Sequence, residues 1–336
     1  MRAHILLGLA LFPLSAAAEP PRIVTDMPVT ASLVTQVLGD LGNAESLLDQ
    51  SSDPHDFQLR PSQAQALQEA ELLIWMGPEM TVWLEDAASQ LGADHQMQLL
   101  HQPGTVLREY AEAGADDHDH AAEDEHDHGD HAHEEEATGD HDDHSDHDDH
   151  ASETHGDGHD HGAFDPHAWL DPDNGALWLG LIAERLAEAD PDNAGTYRAN
   201  AAAATEALSA LDAQLQQELA PARALPFVSF HDAYGYFTYH FGLPEAVTVA
   251  IGDASAPSAA RLQEVRARIE ASSARCAFTE VGHSPRMIAT AVEGLGLTMG
   301  GEISPTGVDI EEGSMLYGEL LTQLSGQLSA CAVATE

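Results

Sequence analysis

Lysine is absent from this 336-residue chain, and all 12 basic residues are arginine. Against them stand 58 carboxylates, for a formal net charge of −46. A surface this acidic excludes nucleic acid as a partner and does not favour anionic membranes. Aromatic residues make up 5% of the chain, and there are two cysteines, Cys276 and Cys331. No C-x-x-C spacing and no H-E-x-x-H motif occurs, so neither a ribbon-type zinc site nor a zincin hydrolase is indicated. No run after the first twenty residues is long and apolar enough to span a bilayer.

The N-terminus has a different character. Arg2 precedes an apolar run from Ile5 to Leu14, and Ala16-Ala17-Ala18 follows. Together these form a secretory signal peptide over residues 1–18, with cleavage expected after Ala18. No cysteine follows for lipid attachment, so a soluble, exported protein is expected, periplasmic in a two-membrane bacterium. In an exported chain a lone cysteine pair is most simply one disulfide. A pair of metal-binding thiols is the rival reading.

Between Glu112 and His161 there are 13 of the 21 histidines and 21 carboxylates, with no basic residue. The histidines are His118, His120, His126, His128, His131, His133, His141, His144, His147, His150, His155, His159 and His161. No apolar side chain larger than alanine is present, so the segment cannot offset its ordering entropy, and a disordered loop is expected. Imidazoles and carboxylates are ligands for zinc, and a mobile tether of weak sites would raise the local ion concentration. An inert, solvated acidic run is the bland alternative.

The remainder alternates short apolar runs with helical stretches, the signature of parallel α/β organisation. Strands are expected at 22–25, 47–48, 72–75, 97–100, 225–230, 247–251, 276–279 and 297–299. Helices are expected at 29–38, 61–70, 83–91, 174–189, 233–240, 258–271, 285–293 and 314–328. A longer helix over 191–219 would join an N-terminal α/β lobe (19–190) to a C-terminal one (221–336).

Three histidines have distinctive surroundings. His55 and His167 each follow Asp-Pro, in Asp53-Pro54-His55-Asp56-Phe57 and Asp165-Pro166-His167-Ala168-Trp169-Leu170-Asp171-Pro172. The proline holds the preceding backbone extended. His231 follows an apolar strand directly, where open α/β sheets bind ligands. Asp56, Asp165 and Asp232 are nearby acceptors that could fix the imidazole tautomers. His95, His101, His240 and His283 lack such context and are read as structural.

These stretches, with Trp75-Met76-Gly77-Pro78-Glu79-Met80 and Phe230 to Phe237, resemble the zinc-uptake solute-binding proteins of bacterial ABC transporters (ZnuA-type, cluster A-I). The order of signal peptide, His-rich loop, linker helix and C-terminal cysteine pair fits as well. The resemblance implies two α/β lobes joined by a rigid helix. It implies Zn(II) as transported ligand, held in the inter-lobe cleft by His55, His167 and His231. It also implies a membrane permease with its cytoplasmic ATPase as partner, no catalytic group, and a monomer. Manganese-binding relatives usually have a carboxylate at the position of His231. This chain departs from the pattern at Ser304, where many relatives have an aspartate ligand, and at Pro54, where some have glutamate. A fourth ligand could then be water, Glu302, or a group from the loop, with Glu280 at the cleft edge. The competing functions are a secreted zinc buffer acting through its loop, a manganese-binding relative and a zinc hydrolase.

Overall fold

A computed structural model describes residues 20–49, 52–110, 164–250 and 258–335. The signal peptide and the acidic segment, with its thirteen histidines, lie outside the described residues, as does Ile251 of the expected sixth strand.

Two four-stranded parallel sheets form the frame. The first contains β1 (Ile23–Thr25), β2 (Glu45–Ser46), β3 (Leu72–Trp75) and β4 (Gln96–Gln98), in the order β2-β1-β3-β4. The second contains β5 (Phe227–Ser229), β6 (Val247–Thr248), β7 (Cys276–Glu280) and β8 (Thr298–Ile303), in the order β6-β5-β7-β8. Each sheet is wound outward from a central pair, β1/β3 and β5/β7. The switch point between those strands is where such sheets bind ligands. Strands β1 and β3 are wholly buried and read as apolar runs, as strands covered on both faces do.

Most expected elements occur within a few residues. Leu47-Leu48 does not form the second strand itself. Glu45–Ser46 does, and the two leucines continue its hydrogen bonding to Thr25 and Asp26 carbonyls (2.8 and 2.9 Å) while filling the core. The eighth strand runs to Ile303, and the last helix to Ala334, beyond the expected 328.

The helices are α1 (Pro28–Leu38), α2 (Pro61–Glu69), α3 (Val82–Ala88), α4 (Pro172–Ala189), α5 (Ala194–Glu218), α6 (Gly235–Phe241), α7 (Ala259–Ser272), α8 (Pro285–Val292) and α9 (Leu316–Ala334). Proline at the first turn of α1, α2, α4 and α8 starts each helix with the correct φ where no N–H bond is needed. Helix α5 has 25 residues, which is about 37 Å at 1.5 Å per residue. It packs on α1 and α4 of the first lobe and on α9 of the second.

A single helix is not the only connection between the lobes. One apolar core runs from Ile23, Leu33 and Trp178 through Tyr236 and Phe237 to Phe278 and Leu324. Ser32 on α1 accepts from the Tyr317 amide (3.1 Å) at the start of α9. The Tyr317 hydroxyl donates to the Trp169 carbonyl (2.8 Å), and Trp169 Nε1 donates to the Pro305 carbonyl (2.7 Å). Gly175 lies against the Tyr317 ring, too close for any side chain there. Cys276 and Cys331 form a disulfide that ties α9 to β7.

His240, read from sequence only as structural, has a definite role. Its Nδ1 lies 2.9 Å from Asp171 and its Nε2 2.8 Å from Asp212, so it bridges α6, the start of α4 and α5. Burial pulls this imidazole down, but the two carboxylates outweigh it and leave it raised to about 9. A raised imidazole stabilises the fold fully below its unfolded value near 6.5. That contribution disappears as pH rises through about 9. His240→Leu should therefore cost roughly 1–2 kcal/mol at pH 6 after solvent screening. The difference from the parent protein should shrink above pH 9, as read by thermal unfolding across pH.

Candidate metal centre

The two Asp-Pro-His stretches fold alike. Asp53 Oδ1 accepts from the His55 amide (2.9 Å), and Asp165 Oδ1 accepts from the His167 amide (2.9 Å). Each is a turn closed by an aspartate side chain two residues back, with proline stiffening the residue between. The first turn is anchored by Trp83, whose Nε1 donates to the Pro54 carbonyl (2.7 Å) and whose ring meets Phe57 edge-on.

The second turn is buried. His167 is 0% and Asp165 2% exposed. The same Asp165 Oδ1 lies 2.6 Å from His167 Nδ1. With Nδ1–H donating to a carboxylate, Nε2 carries the imidazole lone pair and is the nitrogen that can bind a cation. The Asp165 amide bonds the Arg108 carbonyl (2.8 Å), and its own carbonyl accepts from the Tyr236 hydroxyl (2.8 Å). A side chain at Gly235 would put a carbon 3.3 Å from Asp165 Oδ2.

His231 stands two residues beyond β5 and is 3% exposed. Its Nδ1 lies 2.8 Å from Oε1 of Glu280, the last residue of the adjacent strand β7. Glu280 therefore faces the His231 ring. This neighbour is distant in sequence and is set by β5/β7 pairing, Phe227 with Cys276 and Val228 with Ala277. At His55, Asp53 holds the backbone amide, and Asp56 is exposed.

The structure brings His55, His167 and His231 together. Their rings are 5.3 Å (His55–His167), 5.4 Å (His167–His231) and 6.0 Å (His55–His231) apart. Each offers a ligand atom within 4.8 Å of the others. Nitrogens on a tetrahedral zinc are roughly 3.3 Å apart, so small rotations close the set. His55 and His231 line a cavity of about 100 Å³ with Glu280, His283, Pro305 and Thr306, and fully buried His167 completes the triangle.

Of the residues considered near a fourth position, Glu280 lies beside His231, and Glu302 and Ser304 are placed differently. Glu302 is exposed on β8, next to buried Ile303. The Ser304 hydroxyl accepts from the Gly307 amide (2.9 Å) and closes a turn. Glu302 belongs to no candidate metal group among the described residues. Glu280 does, together with His231 and with His283, a residue read from sequence as merely structural. Its signal was present: His283 follows a strand end, as His231 does.

Tyr234 is fully buried beside Glu280, and its hydroxyl is pushed well above the ordinary value, first by burial and then by that carboxylate. It stays a neutral phenol at physiological pH.

Residues 23–331 match the family model described as zinc-uptake complex component A, periplasmic. The high-affinity zinc uptake system protein ZnuA of Paracoccus denitrificans is 49% identical, over 97% of this chain and 95% of its own. The periplasmic zinc-binding protein TroA of Treponema pallidum superposes with a TM-score of 0.70 at 20% identity, over 93% and 99% of the two chains. A crystal structure of ZnuA gives 0.68 at 21% identity, over 93% and 99%.

Asp165→Asn should keep the turn but lose the negative charge at Nδ1. Divalent-metal affinity should fall about 10- to 100-fold, as for other groups that orient a ligating imidazole. Competition against a chromophoric chelator measures this, and an unchanged affinity would contradict the assigned tautomer.

Proposed function

We propose a function from one established premise: the chain belongs to the zinc-uptake complex component A (ZnuA) family of periplasmic proteins. The protein binds Zn(II) and serves zinc uptake through an ABC-type importer. In our reading the ion is cargo, held in the cleft by His55, His167 and His231. It is passed to a membrane permease coupled to a cytoplasmic ATPase. The observation that carries this reading is the cluster of three imidazoles drawn from both lobes.

The donor set supports zinc. Imidazole nitrogen suits this borderline cation, whereas manganese favours more oxygen. Three protein ligands leave a fourth position for water or Glu280. An open position is also what a hydrolytic zinc needs, but the cavity of about 100 Å³ is small for a substrate.

The rest of the reading concerns export, assembly and the acidic segment. The chain is exported, with cleavage after Ala18, and acts as a monomer. The thirteen histidines of residues 112–161 are weak accessory sites that gather zinc.

His231→Ala should weaken the tight site by about 100-fold or more while leaving weak binding in place. Calorimetry with zinc reads both, and an unaltered tight phase would overturn the ligand assignment. Replacing residues 112–161 by a short linker should remove only the weak phase. If the tight phase goes instead, the chain is a buffer that works through that segment. Because imidazoles bind metal only when neutral, the weak phase should fade as pH falls through about 6.5.

A further inference from the structure

We propose that the C-terminal lobe carries a second zinc station of its own, formed by His231, Glu280 and His283. This rests on the reading of His55, His167 and His231 as the cleft ligands, and it shares His231 with them. The three residues each present a ligand atom within 4.8 Å of the others. Glu280 Oε1 lies 2.8 Å from His231 Nδ1 and 3.9 Å from His283 Nε2.

The local fold builds this arrangement. Glu280 ends β7 and is 2% exposed. The chain then turns back through Gly282, at φ +86°, and the His283 amide bonds the Glu280 carbonyl (3.1 Å). Glycine is needed there because L side chains rarely adopt that φ. The turn returns His283 over the carboxylate. Phe230 fixes its ring by stacking at 4.2 Å and 28°. Two imidazoles and one carboxylate form a zinc donor set, and a cation is the partner that a buried carboxylate between two imidazoles favours.

All three groups come from the ends of β5 and β7. The set therefore survives any movement that draws His55 and His167 away. Both sets open on the same cavity. Two dications this close repel strongly, so one ion occupies one station at a time. His231 is the pivot. As the N-terminal ligands leave, Glu280 changes from orienting His231 to coordinating the ion, and His283 completes the hold.

A merely structural reading makes Glu280 an orienting group and His283 a ring that closes the pocket. The two readings separate in the full-length chain titrated with Zn²⁺ against a chromophoric chelator. The double variant His55→Ala/His167→Ala should lose the tight phase but keep a body site distinct from the acidic segment. Adding His283→Phe, which preserves stacking on Phe230, should weaken that remaining site at least about tenfold. In the double variant, zinc should also shift the His283 ring ¹⁵N resonances, identified by their loss in the triple variant. Equal zinc binding by double and triple variants, with unmoved His283 nitrogens, would overturn the second station alone. A double variant that binds as tightly as the parent would overturn the cleft ligands instead. Should circular dichroism show the double variant unfolded, the single His283→Phe decides. Zinc loss to excess chelator should then be severalfold faster, and an unchanged rate would overturn the proposal.

Discussion

A carboxylate buried as deeply as Asp165 must be hydrogen-bonded, and the arrangement of the site follows from how that demand is met. Its Oδ1 serves the amide and the ring of His167 at once, so one oxygen fixes both the turn and the imidazole. Its backbone binds Arg108 on one side and Tyr236 on the other, and the Tyr236 hydroxyl also accepts from the Arg108 amide at 2.9 Å. A single phenol on α6 of the second lobe thus holds two segments of the first lobe in register. The His167 ring direction is set by a network that spans both lobes, which is the preorganisation a three-imidazole site needs.

The same network limits how the lobes can move. The core is continuous between them, and Trp169, Tyr236, Tyr317 and His240 each make a polar contact across the boundary. A wide hinge would expose that apolar surface and break those bonds, each worth about 1 kcal/mol. Small sliding of packed helices leaves them intact and still shifts imidazoles by the ångström or so that coordination requires. His55 is the proposed ligand best placed to move. It lies on a loop anchored by Trp83 and Asp53, and it is less buried than His167 or His231.

The sequence made the strands and the Asp-Pro-His turns legible because both are local. The apolar run that starts at Leu72 is bounded by Glu71 and by Gly77-Pro78, and a proline between aspartate and histidine restricts the backbone wherever it occurs. The groups around His231 were not legible in that way. Asp232 is adjacent in sequence, but Glu280 is adjacent in space, and only the order β6-β5-β7-β8 makes it so. His283 meets the same carboxylate only through the turn after β7, and Glu302, one of the options for a fourth ligand, stands exposed beside buried Ile303. His240 looked unremarkable because its two partners, Asp171 and Asp212, lie 69 and 28 positions away.

The charge of the chain and the chemistry of its cleft serve different ends. A net charge of −46 draws every cation toward the surface and distinguishes poorly among them. Selection has to occur where water is excluded and geometry is fixed. There the proposed ligands are imidazoles, neutral donors that add no charge to attract a hard ion. What they offer is lone pairs on nitrogen, which zinc accepts more readily than manganese, calcium or magnesium does. The carboxylates nearest them, Asp165 and Glu280, each face an imidazole Nδ1. They strengthen the ligands without presenting an oxygen-rich shell. Attraction is therefore left to the acidic surface, and discrimination to three neutral rings backed by two buried carboxylates.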